Sequence, residues 1–271
     1  MRTRFAPSPT GRLHLGHAFA ARVAHDRARE AGGAFLLRFE DIDHTRVREP
    51  FYEGILDDLR WLGLAWEEEP WRQEERQGEY QRALDELKAL GVVYPCTCTR
   101  REITAALAEL DAPHGSPHAD YPGTCRHRLG EEPAGAVAWR LHSERAAALT
   151  GPLFFQDQRF GAQQVDARLH GDVILARKDL GTSYHLAVTV DDAAQRITLV
   201  TRGEDLLPST HIHRQLQALL QLPVPTYEHH RLITDDAGKR LATRAHAATI
   251  ETLRQQGLTP ADIWEKLSFP G

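Results

Sequence analysis

Three residue types are scarce in this chain of 271 residues: cysteine occurs three times, methionine once, and only four of the 33 basic residues are lysine. An odd, low number of cysteines argues against a disulfide framework and indicates a reducing compartment, so we expect a cytoplasmic protein. The chain has no run of 18 apolar residues and no charged-then-apolar N-terminus, which argues against a membrane span and against secretion. The net charge of −5 is not that of a basic nucleic-acid-binding domain, so any contact with nucleic acid is expected to be local.

What the chain does contain is a distinctive first segment, from Arg4 to His17. Two prolines stiffen a turn after a short apolar strand, and His14-Leu15-Gly16-His17 then opens a helix. The unpaired N–H groups and the positive dipole end of a helix N-terminus favour an anion, and imidazoles there can donate to phosphate oxygens. The segment therefore predicts a polyphosphate site, although His-x-Gly-His alone would also suit an ordinary helix entry.

Alternating strand and helix patterns predict an α/β fold with a doubly wound parallel sheet. The predicted strands are 3–5, 34–39, 137–141, 173–176, 184–190 and 197–201, and the predicted helices are 17–31, 50–62, 80–90, 99–110, 210–220 and one that begins at Thr259. We expect four parts: a first half of the α/β domain (1–91), an inserted subdomain (92–168), a second half (169–234), and a loop with a short helical C-terminal segment (235–271).

Acidic residues follow the second predicted strand directly, in Glu40-Asp41-Ile42-Asp43. Ligands of doubly wound sheets bind at the carboxyl ends of the strands, so this position favours a binding role. Four residues by themselves would equally fit a solvated acidic turn.

All the cysteines fall within thirty residues of one another, as Cys96, Cys98 and Cys125. Zinc prefers four thiolate or imidazole ligands in a tetrahedron, so three thiolates need a fourth partner. The nearby candidates are Tyr121, His114, His118 and His127. Spacing does not choose among them, and three unrelated reduced thiols are the alternative.

The first segment, with Pro-Ser-Pro-Thr-Gly before Leu-His-Leu-Gly-His, resembles the nucleotide-binding signature of class I aminoacyl-tRNA synthetases of the glutamyl and glutaminyl type. The resemblance implies a Rossmann-like catalytic domain in which His14, Gly16 and His17 bind ATP, with His14 and His17 also acting in catalysis. It also implies that Arg4, Phe5, Ala6, Pro7 and Ser8 border the amino-acid pocket.

Three further stretches extend the resemblance to a glutamate pocket. Glu40 stands where the family has the partner of the substrate's ammonium group, which suits a carboxylate. Tyr184, in the stretch Ser183 to Asp192, and Arg202, in an Arg-Gly-x-Asp motif, would complete the pocket, with Arg202 holding a carboxylate. The family's usual asparagine is replaced here by His185.

The glutamyl-queuosine members of this family carry Cys-x-Cys followed by Tyr-x-x-x-Cys, and Tyr121 to Cys125 matches the second pattern. That resemblance implies one zinc ion per chain, bound by Cys96, Cys98, Tyr121 and Cys125, with a histidine as the second choice for the fourth ligand.

The family's closing loop, normally close to Lys-Leu-Ser-Lys, is altered here. The corresponding stretch runs from Arg240 to Arg244, and Thr243 replaces the second lysine, whose charge stabilises the phosphoryl groups. We expect Lys239, Arg240 or Arg244 to supply that charge, with Arg240 and Thr243 at the ATP.

The resemblance implies ATP-dependent activation of L-glutamate, with magnesium accompanying ATP, followed by transfer to a hydroxyl. The chain ends at Gly271, soon after the closing loop, which favours the glutamyl-queuosine branch, whose acceptor is the queuosine base in the anticodon of tRNA(Asp).

Expected partners are ATP, L-glutamate and this tRNA, with no membrane and a monomeric chain. A minimal enzyme charging the tRNA 3′ end, a general nucleotidyltransferase of similar fold, or a non-catalytic nucleotide- or glutamate-binding relative are the alternatives.

Overall fold

The computed structural model describes residues 1–109, 121–233 and 248–269. Its strands are β1 (Arg2–Phe5), β2 (Ala34–Phe39), β3 (Trp71–Arg72), β4 (Val93–Cys96), β5 (Ala138–Leu141), β6 (Phe154–Asp157), β7 (Gly161–Gln164), β8 (Ile174–Ala176), β9 (Leu199–Gly203) and β10 (Thr226–His230). Its α-helices are α1 (Leu15–Glu30), α2 (Glu49–Trp61), α3 (Gln77–Ala89), α4 (Arg100–Glu109), α5 (Ser143–Thr150), α6 (Tyr184–Ala194), α7 (Leu207–Leu219), α8 (Ile250–Gln255) and α9 (Pro260–Lys266).

Two mainly parallel sheets form the centre of the molecule. In the first, β1 and β3 pair with β2 in parallel, and in the second, β9 and β6 pair with β10 in parallel while β7 is antiparallel to β6. The two sheets meet where the Thr198 N–H donates to the Arg2 carbonyl at 3.0 Å. The predicted α/β class with a parallel sheet is confirmed.

The first helix fits closely against this centre because its inner face is alanine-rich. Ala18, Ala21, Ala24 and Ala28 are fully buried, and small side chains at this spacing let a helix approach a sheet. The N-cap is His14, whose Nδ1 accepts from the Gly16 N–H at 3.1 Å. The turn before α1 is thereby fixed to the helix terminus.

A third sheet, antiparallel in the order β4, β5, β8, lies outside the parallel arrangement. Strands β4 and β5 come from the predicted insertion, 92–168, whereas β8 follows it in the chain and β6 and β7, which lie inside it, join β10. The boundaries of the insertion stay a prediction.

One predicted strand is wrong: residues 184–190 belong to helix α6 rather than to a strand. The β-branched run Val188, Thr189, Val190 favours a strand in isolation. The helix is buried on most of its circumference, so it lacks the polar face from which a helical period could be detected. The Thr189 hydroxyl is satisfied within the helix by donating to the His185 carbonyl at 2.8 Å.

The predicted helix starts at Thr99 and Thr259 both carry a capping box. Thr99 and Glu102 exchange side-chain and backbone hydrogen bonds at the start of α4, and Thr259 and Asp262 do the same at α9. Strands β3, β4, β6, β7 and β10 and helices α5 and α8 were not predicted. No helix in the described ranges is long and apolar enough to cross a membrane.

Candidate functional site

A cavity of about 700 Å³ lies beside the ends of strands β1, β2, β9 and β10. The predicted site residues Arg4, Phe5, Ala6, His14, Gly16, His17, Glu40, Tyr184 and Arg202 all line it. They come from distant parts of the chain and meet because binding sites in such sheets gather at the strands' carboxyl ends. A volume of this size suits a nucleotide or a small molecule.

Pro7 and Ser8 are not among the lining residues; they hold Glu40 instead. The Ser8 hydroxyl donates to the Glu40 carbonyl at 2.5 Å, and the Glu40 N–H donates to the Pro7 carbonyl at 3.0 Å. Two hydrogen bonds to the Glu40 backbone therefore fix this residue at the wall of the cavity.

Glu40 is surrounded by a buried ion network. Arg4 pairs with Asp192 at 2.9 Å, and the fully buried Arg38 lies 2.9 Å from Asp192 and 3.6 Å from Glu40 Oε1. Burial raises the pKa of Glu40, and the charges of Arg38 and Arg4 oppose that rise. A cation entering the cavity would stabilise the ionised carboxylate.

Arg202 stands in a different environment, formed by uncharged acceptors. Its Nε donates to His229 Nε2 at 3.1 Å, and one terminal nitrogen donates to Thr210 Oγ1 at 2.6 Å. The other terminal nitrogen lies 3.1 Å from His213 Nδ1 and 3.4 Å from Tyr184 Oη. Within the described ranges no carboxylate forms a salt bridge with Arg202, so its full charge is available to an anion in the cavity.

Both ring partners of Arg202 are uncharged near neutral pH. Burial, helped by the Arg202 charge, lowers the pKa of His229 to about 4 and that of His213 well below its usual value. His213 also contacts His185 at 3.1 Å between Nε2 and Nδ1. Burial likewise lowers the pKa of His185 to about 4.

Sequence reasoning did not identify Thr210, His213 and His229. They belong to α7 and β10, outside every motif, and the available signals were the closely spaced histidine pairs 211 and 213 and 229 and 230. Arg46, Asp205 and the apolar Leu232 and Ile233 also line the cavity without having been predicted as site residues.

At the helix end of the cavity, the rings of His14 and His17 stack with centroids 3.8 Å apart. His14 Nδ1 accepts from Gly16 N–H, and His17 Nδ1 accepts from the His14 N–H at 3.3 Å. This pattern assigns the proton of each neutral ring to Nε2, the atom that would donate to a phosphate oxygen. Phe19 and Ala20, from the same helix, add apolar surface.

The three cysteines form a second site at the end of β4. Their sulfur atoms lie within 4.8 Å of one another, with Cys98 and Cys125 at 3.4 Å. Tyr121 Oη lies 3.4 Å from Cys96 Sγ and 3.7 Å from Cys98 Sγ. Bonds of about 2.3 Å to a tetrahedral zinc place sulfur ligands about 3.8 Å apart, so the four groups fit a metal ion.

The groups around this cluster shift the pKa values of its tyrosine and cysteines in opposite directions. The Cys125 N–H donates to Tyr121 Oη at 2.9 Å, and the Arg140 guanidinium carbon lies 3.7 Å from the Tyr121 ring centre. The Cys125 N–H bond lowers the pKa of Tyr121, but burial and hydrogen bonds to the cysteine thiols outweigh it and raise that pKa above its usual value. Burial raises the pKa of Cys98 to about 11, whereas hydrogen bonds to Tyr121 and Thr97 outweigh burial and hold the pKa of Cys125 at about 7.

The remaining predicted residues divide into two groups. His127, an alternative fourth ligand, is exposed and is not in the cluster found among the described residues. Predictions on other positions lie outside the described residues: Lys239, Arg240, Thr243, Arg244, His114 and His118.

Fold and site together define the catalytic domain of a class I tRNA synthetase, and the family described as tRNA synthetases class I (E and Q), catalytic domain, matches residues 1–270. A glutamyl-Q tRNA(Asp) synthetase of Rhodobacter capsulatus is 51% identical over 97% of this chain and 98% of the relative. That of Nitratidesulfovibrio vulgaris is 42% identical over 97% and 84%. This chain therefore belongs to the glutamyl-Q tRNA(Asp) synthetases, a branch of the class I glutamate and glutamine enzymes.

A solved structure supports the same fold. The glutamate tRNA ligase of Elizabethkingia meningosepticum, determined in complex with its amino acid, superposes with a TM-score of 0.75 at 30% identity. The match covers 90% of this chain and 52% of the ligase, so the chain spans about half the length of that protein.

Proposed function

We propose that this chain activates L-glutamate with ATP to glutamyl-adenylate and transfers the glutamyl group to the queuosine base of tRNA(Asp). Two cavity-lining groups carry the glutamate assignment: the carboxylate of Glu40, and the guanidinium of Arg202, which has no acidic partner among the described residues. The names of the curated relatives support the choice of acceptor.

Glutamate would bind with its ammonium group at Glu40 and its side-chain carboxylate at Arg202 and Tyr184. Arg202 presents a planar fork that suits a carboxylate, and its neutral partners leave its charge uncompensated. Arg4 is engaged by Asp192 and the Thr201 carbonyl, so it would act on the cavity through its charge and its packing.

ATP would bind with its phosphates at the N-terminus of α1, where His14, Gly16 and His17 line the cavity. Leu232, Ile233 and Phe19 supply the apolar surface that an adenine ring needs. Magnesium arriving with ATP would neutralise part of the triphosphate charge. We propose that Lys239, Arg240 or Arg244 supplies the remaining positive charge, close to Thr243.

The reaction needs no protein nucleophile. An oxygen of the glutamate α-carboxylate attacks the α-phosphorus, the bond to the bridging oxygen breaks, and pyrophosphate leaves. A queuosine hydroxyl then attacks the activated carbonyl, loses its proton, and releases AMP. The chain contributes positioning of the two substrates and donors from His14 and His17 to the phosphate oxygens.

We further propose one zinc ion per chain, bound by Cys96, Cys98, Tyr121 and Cys125. Four protein ligands leave no open position, so the ion would cross-link the end of β4 to residues 121–125 rather than act in catalysis. Ligands that must stay reduced suit the cytoplasm, where we expect a monomer.

The decisive experiment is ATP–pyrophosphate exchange with purified protein, followed by transfer of labelled glutamate. We expect exchange that depends on glutamate, transfer to tRNA(Asp) containing queuosine, and no transfer to the same tRNA without queuosine. Labelling of tRNA(Glu) at its 3′ end would instead identify a minimal glutamyl-tRNA synthetase, and absence of exchange would identify a binding protein.

A further inference from the structure

His229 is buried next to Arg202, and its hydrogen bonds are compatible with only one neutral tautomer. His229 Nε2 is 3.1 Å from Arg202 Nε, and because an arginine Nε only donates, His229 Nε2 must accept. The proton of the neutral ring is therefore on Nδ1, which lies 2.6 Å from Asp157 Oδ2. Thr210 Oγ1, 3.0 Å from His229 Nε2, can donate to the same acceptor while it accepts from Arg202.

Asp157 is itself held from several directions. Its Oδ1 accepts from the Arg159 and Phe160 N–H groups at 2.8 Å, and its Oδ2 also accepts from the His229 N–H at 3.2 Å. These bonds fix the carboxylate on β6, while His229 lies on β10 and Arg202 on β9. A continuous series of hydrogen bonds thus runs across three neighbouring strands, from Asp157 through His229 to Arg202 at the cavity.

We propose that Asp157 and His229 are positioning residues that orient Arg202 and so select a side-chain carboxylate over a carboxamide. This inference rests on the proposed glutamate-activating function. An acid in direct contact with Arg202 would neutralise it, whereas Asp157 acts through a neutral ring and leaves the guanidinium charge to the substrate. Glutamine would bring an uncharged carboxamide, with N–H donors of its own, against that charge.

The Asp157→Asn variant tests the tautomer. An amide nitrogen facing His229 would move the ring proton to Nε2, and two donors would then oppose each other at Arg202 Nε. We expect the KM for glutamate to rise about tenfold, the factor given by loss of one hydrogen bond to a charged group, with the KM for ATP unchanged. The preference for glutamate over glutamine in exchange assays is expected to fall by a similar factor.

A second readout does not depend on activity. Nitrogen-15 NMR of the imidazoles is expected to show His229 protonated on Nδ1 in the wild type and on Nε2 in Asp157→Asn. The exposed Asp57→Asn variant is the matched control and should change neither measurement. A wild-type ring protonated on Nε2, or an Asp157→Asn enzyme with unchanged glutamate KM and selectivity, would overturn the inference.

Two further variants keep the test decisive if Asp157→Asn does not fold. His229→Gln retains an acceptor oxygen near Arg202 Nε and His229→Ala removes it, while both keep the bonds of Asp157 to residues 159 and 160. A raised glutamate KM in His229→Ala that His229→Gln partly restores supports the inference, and equal values in the two variants contradict it. Wild-type protein without glutamate-dependent exchange would refute the proposed function instead.

Discussion

Arg202 combines burial with a charge that no acid in the described part of the chain neutralises. Burying a guanidinium among neutral acceptors is costly unless an anion completes its environment. Glu40 presents the converse case, since burial raises the pKa of its carboxyl and a cation would lower it again. At the residue scale, each end of the cavity is therefore most stable with the opposite charge bound, as an amino acid with a side-chain carboxylate would supply.

Replacing Arg202 with alanine should abolish measurable glutamate activation. Truncating one partner of a buried charge pair costs about 3 kcal/mol, so we expect kcat/KM for glutamate to fall by about 100-fold or more. The measurement is glutamate-dependent ATP–pyrophosphate exchange, with binding of ATP followed separately. Arg60→Ala, on the exposed surface of α2, is the control, and an Arg202→Ala enzyme with normal glutamate kinetics would exclude the pocket assignment.

The hydroxyl of Tyr121 provides a residue-scale test of the metal site. Tyr121→Phe keeps the ring beneath Arg140 but removes the oxygen close to two of the sulfurs. We expect at least tenfold weaker zinc retention, measured by metal content after dialysis against a chelator, because three thiolates then lack a fourth ligand.

The matched control for that variant is Tyr94→Phe. Tyr94 lies on β4, the strand that carries Cys96, and its hydroxyl donates to Asp172 at 2.5 Å. Its loss should destabilise the fold while leaving zinc retention unchanged. Equal zinc retention by Tyr121→Phe and the wild type would show that the tyrosine is not a ligand.

At the scale of elements, the start of α1 combines a structural and a functional role in His14. Its Nδ1 caps the helix while Nε2 remains the proton-bearing atom of the neutral ring. His14→Ala is expected to cost about 1 kcal/mol of unfolding free energy through the lost cap. His14→Asn should restore that stability, since asparagine is a good N-cap, yet should not restore the KM for ATP.

Urea unfolding and exchange kinetics on the same two variants separate the roles. His17, which belongs to the same capping box, stays unchanged in both. An asparagine variant that recovers both stability and ATP binding would show that His14 serves the helix alone.

The helices and strands differ in how well the sequence predicted them. Helices with a polar face, such as α2 and α3, and the helix starts at Thr99 and Thr259 were predicted because the signal is local. Helix α6 was predicted as a strand because it is buried on most sides and its sequence therefore lacks the helical alternation of polar and apolar residues. Strand β10 was missed because Thr226–His230 is polar and short. Tertiary burial, which no local window contains, decided both segments.

The same distinction applies to the candidate site. Glu40, Tyr184 and Arg202 were predicted because they stand in motifs, and the structure brings all three to one cavity. The uncharged hydrogen-bond partners of Arg202, such as His213 and His229, were not predicted. They lie outside the motifs of the sequence, and only the fold brings them into contact with Arg202.

At the scale of the whole molecule, His185, His213 and His229 link α6, α7 and β10 around Arg202. Burial and the nearby Arg202 lower the pKa of His185 and His229 to about 4 and that of His213 well below its usual value. Such groups bind protons more strongly in the unfolded chain than in the folded one. Their contribution to stability is therefore complete above pH 6.5 and is lost as the pH falls towards 4. Asp58, whose pKa burial raises to about 6, acts with the opposite sign over part of this range.

The difference in stability between the wild type and one variant isolates the contribution of His185 from these opposing contributions. His185→Asn introduces a side chain that does not titrate yet can still accept from His213 Nε2. We expect the wild type to lose stability relative to this variant as the pH falls from 6.5 to 4, by up to roughly 3 kcal/mol. Urea unfolding at pH 7.5, 6.0 and 5.0 measures that difference directly, and the exposed His127→Asn variant should parallel the wild type. A constant gap between wild type and His185→Asn across this range would mean that His185 is protonated equally in the folded and unfolded chains, and that the histidines around Arg202 do not set the acid limit of the fold.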